Sequence, residues 1–181
     1  MKLKSAVAAL ALSGLAFAAS AATLTYNVSR TIGSGSVMGT ITTDGTFGTL
    51  STGNITAWSL TFNDGTSSFV SNQGNSQVGV FGLGFTADID SLDFNFGQAG
   101  AAVDFQSPVI GSGVDYWCFD GTSLSCTGGH STENVNGGSA TLSISQQGVI
   151  AMATRQAVPE PASLALVGLA LVGAAASRRR R

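Results

Sequence analysis

Between residues 24 and 144, short runs with apolar side chains at every second position recur: Leu24, Tyr26, Val28; Trp58, Leu60, Phe62; Leu92, Phe94, Phe96; Val103, Phe105; Leu142, Ile144. Successive side chains of a strand point to opposite faces, so this period marks β-strands with one buried face. Thr, Ser and Asn fill the intervening positions, and no window sustains a helical period. Turn formers separate the runs, at Asp44-Gly45, Asn63-Asp64-Gly65, Asp120-Gly121 and Asn136-Gly137-Gly138, and each suits positive φ. The expected fold is all-β, an antiparallel β-sandwich or flattened barrel of about 8–10 short strands. Trp58 and the ten phenylalanines largely supply its core, with some phenylalanines covering open sheet edges. The Ser/Gly/Asn-rich stretches Ser71 to Ser76 and Gly121 to Gly138 read as mobile loops.

Both ends of the chain follow a different rule. Lys2 and Lys4 precede an apolar stretch from Ala6 to Ala18, and Ala19-Ser20-Ala21 offers small residues for cleavage. These are the three parts of a secretory signal peptide, assigned to residues 1–21 as an N-terminal signal helix. At the other end Val158-Pro159-Glu160-Pro161 is followed by the apolar span Leu164 to Ala176 and by Arg178 to Arg181. That tail resembles the PEP-CTERM sorting signal of bacterial exported proteins, with all three parts in the expected order. The resemblance implies an exosortase that recognises Val158, Pro159, Glu160 and Pro161 and processes the protein nearby.

The physics of the tail suits a transient anchor in the inner membrane. Thirteen residues from Leu164 to Ala176 rise only about 20 Å as a helix, short of a hydrocarbon core about 30 Å thick. Four arginines hold the far end in the cytoplasm, and two prolines keep the recognition segment extended. The chain therefore divides into a signal peptide (1–21), an extracytoplasmic β domain (22–155), a linker with the sorting motif (156–163), a short transmembrane helix (164–177) and an Arg tail (178–181). Within the domain, Gly39 to Phe62 resembles a region of other exported PEP-CTERM proteins, which implies a shared β domain of unassigned activity.

Removal of the two ends changes the electrostatics. Residues 22–157 keep Arg30 and Arg155 as their only Lys or Arg against nine Asp and Glu, a net charge of about −7. Such a balance disfavours binding to nucleic acid or anionic lipid and stays compatible with a cation or a neutral glycan.

Few residues carry recognisable chemistry. Cys118 and Cys126 flank Asp120-Gly121 in an exported chain, which points to a disulfide. A Cys-His pair with His130, or a metal site of Cys118, Cys126 and His130, is the competing reading. Asp88, Asp90 and Asp93 form the acidic cluster and are the candidate calcium ligands; the alternative is an acidic strand end that discourages edge pairing. Tyr116 and Trp117 are the candidate glycan contacts, set against Trp117 in the core and Tyr116 at its rim. After the signal peptide there is no Lys, one His, no phosphate-binding loop and no nucleophile elbow. The expected role is non-catalytic, structural or adhesive, at the cell surface or in the extracellular matrix. The alternative is a carbohydrate-binding module acting on exopolysaccharide, and the third option a glycoside hydrolase using Asp88 or Asp90. Apart from calcium, no cofactor is implied.

Overall fold

The computed structural model describes residues 22–154 except 124–125, 127–128, 136–139 and 144–146. The expected signal helix, the linker, the sorting motif, the transmembrane helix and Asn136-Gly137-Gly138 all lie outside the described residues. Among the described residues no helix is long and apolar enough to cross a membrane. In chain order the strands are β1 (Leu24–Ile32), β2 (Gly35–Thr43), β3 (Gly48–Thr49), β4 (Ile55–Asn63), β5 (Ser68–Asn72), β6 (Gln77–Phe81) and β7 (Phe85–Ala87). They continue with β8 (Ser91–Asn95), β9 (Ala102–Gln106), β10 (Tyr116–Asp120), β11 (Thr132–Val135), β12 (Ala140–Ser143) and β13 (Gln147–Ala153). One 3-10 turn, Thr52–Asn54, precedes β4.

The strands form two antiparallel sheets, one of order β3-β7-β8-β13-β1-β2-β4-β5 and one of order β12-β11-β10-β9-β6. Neither closes on itself. The sandwich is therefore the expected architecture that forms, and the flattened barrel is not. Thirteen strands appear among the described residues where about 8–10 were expected, because pieces as short as β3 and β7 are too brief to display a period.

Burial follows the alternation. Along β1, Tyr26, Val28 and Ile32 are buried while Asn27, Ser29 and Thr31 are exposed; along β4, Leu60 and Phe62 are buried between exposed Ser59, Thr61 and Asn63. One core cluster joins both sheets, and aromatic edges cross between them: Phe119 of β10 meets Phe85 at 5.7 Å and Phe94 at 4.9 Å. Among the described residues six phenylalanines are fully buried, whereas Phe81 on edge strand β6 and Phe47 are 44% and 56% exposed, so the core takes only part of the phenylalanine complement.

Described residues in both stretches read as mobile loops are buried and hydrogen-bonded. Ser71 and Ser76 are buried, their hydroxyls 2.8 Å apart, and the half-buried Trp58 donates its Nε1 to both at 3.2 and 3.0 Å. The stretch from Gly121 to Gly138 contains β11, every residue of which is buried. Gly121 has a steric cause: a Cβ there would stand 1.9 Å from the carbonyl oxygen of Gln98, so the chains touch only because it is glycine.

Candidate functional site

In β9, Val103 and Phe105 enter the core, so Ala102, Asp104 and Gln106 face the outside of the five-stranded sheet. In β10, Trp117 and Phe119 enter the core, which sends Tyr116, Cys118 and Asp120 outward beside them. Register sets the rows: Gln106 lies opposite Tyr116 and Gln77, and Asp104 opposite Cys118 and Gly79. Two loops rise over this face. Residues 107–115 are tied down by Ser107 N–H to Asp115 O at 3.1 Å, Ser112 Oγ to Ser107 O at 2.7 Å and the Gln106 amide oxygen, which accepts from Gly111 N–H. The loop after β10 is tied by the Cys118–Cys126 disulfide and by the buried Asp120 carboxylate, which accepts from Cys126 N–H at 2.7 Å and Thr132 N–H at 3.0 Å.

Between the loops lies a cavity of about 560 Å³, with Asp104, Gln106, Tyr116 and Cys118 on its floor and Phe81 and Ile110 on its walls. Asp104 dominates its electrostatics. The Oδ1 atom is buried and has no hydrogen-bond partner among the described residues, and burial pushes the carboxyl up to about 6. Burial, and then the Asp104 charge, also raise the Tyr116 phenol.

On the inner face of the same sheet the buried Glu133 is fully engaged. It accepts from Trp117 Nε1 at 3.0 Å and Arg30 Nε at 3.1 Å, and it pairs with the second Arg30 nitrogen, while Arg30 Nη1 donates to Val149 O at 3.0 Å. Since Arg30 belongs to β1, the ion pair bridges the two sheets.

The sequence-predicted residues separate by location. The disulfide is present. Tyr116 reaches the cavity, while Trp117 is fully buried and stacks on Phe105 at 5.5 Å, presenting no face to solvent. Asp88 lies in the turn between β7 and β8, where its Oδ1 accepts from Asp90 N–H at 2.7 Å and Ser91 N–H at 2.6 Å; those donors lower its pKa. Asp93 instead accepts from Ser91 Oγ at 2.6 Å. Because β8 lies between β7 and β13, the acidic cluster does not guard a sheet edge, which corrects that reading. Among the described residues no group of three His, Cys, Asp or Glu side chains is arranged to hold a metal ion.

A family model described as the PEP-CTERM protein-sorting motif matches residues 157–181. This chain carries a PEP-CTERM sorting domain. The PEP-CTERM motif implies an exported, cell-surface protein that an exosortase processes. No curated protein and no solved structure matches the chain. The match does not extend to the β domain, whose own geometry is the guide to its activity. Asp104, Gln106 and Phe81 were not singled out from sequence. The one available signal was an acid placed between Val103 and Phe105 in a strand otherwise rich in apolar residues.

Proposed function

We propose that the chain is an exosortase-sorted, non-catalytic β protein of the cell surface or extracellular matrix, structural or adhesive in role. It is held transiently in the inner membrane and processed near Val158, Pro159, Glu160 and Pro161. The observation that carries this reading is the sorting motif at residues 157–181 on a chain whose described domain is a disulfide-closed sandwich. The lining of the cavity supports the non-catalytic part. Glycoside hydrolysis uses two carboxylates around one bond, and Asp104 is the one carboxylate on that lining among the described residues.

Mass measurement of the C-terminus in cell-associated and released fractions tests the reading. Loss of the Leu164 to Arg181 segment from surface and released protein is the expected result. An uncut tail in every fraction would remove the sorting half of the proposal. A carbohydrate-binding module for exopolysaccharide is the second reading, favoured by Tyr116 and Gln106 side by side on the cavity floor. Glycan-array binding that disappears in Tyr116→Ala supports it, and wild-type protein that binds no sugar eliminates it.

A further inference from the structure

The outer cavity and the inner ion pair present two carboxylates in different conditions. Glu133 is matched by Arg30 and Trp117, whereas Asp104 has a buried oxygen that nothing in the described fold satisfies. Buried polar atoms are paired in the great majority of cases, so an orphan on the floor of a cavity calls for a partner from outside. The neighbours of Asp104 define that partner. Across the register Gly79 offers no side chain, and a Cβ there would stand 2.8 Å from the Phe81 ring, so the ring lies over the glycine and walls the space beside the carboxylate. Tyr116 and Ile110 complete an aromatic and aliphatic surround. Among the described residues no Lys or Arg lines the cavity. Asp120, one row further along, is occupied with Cys126 and Thr132, and Arg30 serves the opposite face of the sheet.

We propose that this cavity binds a cationic amine, its ammonium paired with the Asp104 carboxylate and its carbon framework set against Phe81 and Tyr116. A carboxylate sharing a cavity with aromatic rings can recognise a cation by charge and by ring quadrupole together. The negative net charge of residues 22–157 concentrates cations near it and repels anionic ligands. Burial that raises the Asp104 pKa is relieved when a positive group arrives, so the site is poised for its ligand. The inference deepens the adhesive reading by naming the class of group that the surface would hold.

Titration calorimetry on the full chain at pH 7.5, with benzylamine as probe and benzyl alcohol as its neutral counterpart, tests the assignment. Wild type should bind benzylamine and bind the alcohol about 10- to 100-fold more weakly, with a loss of similar size for benzylamine in Asp104→Asn. The thermal midpoint of Asp104→Asn should equal or exceed that of wild type, because the variant removes an unpaired buried charge. Equal binding of the two probes, no binding of benzylamine to wild type, or an isotherm unchanged in Asp104→Asn overturns the amine assignment. A midpoint that falls sharply in Asp104→Asn also overturns it, since the carboxylate would then hold the fold together. These measurements use purified protein, so a failure here is separate from a failure of C-terminal processing in cells.

Discussion

Glu133 and Asp104 are carried by the same five-stranded sheet, two strands apart and on opposite faces. Glu133 faces inward and has a partner on both oxygens; Asp104 faces outward with one oxygen orphaned. Glu133 is fully buried and compensated by its own chain, whereas Asp104 is half-buried, with one buried oxygen unpaired among the described residues. A carboxylate that is buried and matched ties two sheets together. One that is buried and unmatched raises the energy of the free protein, a condition characteristic of sites that wait for a ligand. Substitutions on the two faces should therefore move stability in opposite directions.

The largest effect is expected on the inner face. Arg30→Met leaves Glu133 buried without its cation and should destabilise by about 3–5 kcal/mol in urea unfolding. Arg30→Met combined with Glu133→Leu should recover part of that loss, leaving the indole N–H of Trp117 without its acceptor. A single variant within experimental error of wild type would end the claim that the pair clamps the sheets.

Reduction of Cys118–Cys126 comes next. The bridge joins two cavity-lining residues at a sequence separation of 8, and its loss should cost about 2–3 kcal/mol in the chain-entropy model. Amine binding should weaken in parallel, because both sulfur-bearing residues line the site. Cys118→Ala with Cys126→Ala, compared with wild type under oxidising and reducing conditions, separates the bridge from any effect of the reductant.

Parts of this picture were readable from the chain and parts were not, for physical reasons. β1 buries one face and exposes or half-buries the other, β4 does so from Ser59 to Asn63, and β8 and β9 alternate core apolar residues with Ser, Asp, Asn, Ala or Gln, so their period of two is visible in the residues. β10 buries all five residues, since the core covers one face and two loops the other, and its alternation between Trp117, Phe119 and the outward set loses contrast. β11 reads Thr-Glu-Asn-Val, a polar string that hydropathy assigns to a loop. It is buried because Asp120, Arg30 and Trp117 satisfy Thr132 and Glu133, and those partners are remote in sequence. The cavity was hidden for the same reason. Asp104 is made unusual by Ile110, Gly111, Gly113 and Cys126, which line the cavity with it, and nothing in its local sequence announces them.

On the outer face the sign reverses. The Asp104 carboxyl is held at about 6 against an ordinary 3.8, so the native state binds that proton more tightly than the unfolded chain. The stabilisation is complete below pH 3.8 and is lost as pH rises through about 6. Asp104→Asn should remove this slope and stabilise the protein at neutral pH by on the order of 1–2 kcal/mol, allowing for the solvent that still reaches the group. Unfolding free energies from pH 4 to 8, wild type against variant, provide the check; parallel curves would place Asp104 outside the cavity environment described above.

The smallest effect concerns a matched polar group between β5 and β6. Ser76 accepts from Trp58 Nε1, shares a bond with the Ser71 hydroxyl and donates to Asn72 O at 2.6 Å. Composition alone makes residues 71–76 a loop in which Ser→Ala changes stability by no more than about 0.5 kcal/mol. The network predicts otherwise. Ser76→Ala strands the buried Ser71 hydroxyl with fewer partners and should cost about 1 kcal/mol, whereas Ser71→Ala leaves Trp58 bonded to Ser76 and should cost less. Equal, negligible losses in the two variants would return the segment to the surface-loop class. Unequal losses in the stated order would place it with Glu133 among the polar groups that the fold satisfies from within, and would leave Asp104 as the contrasting case.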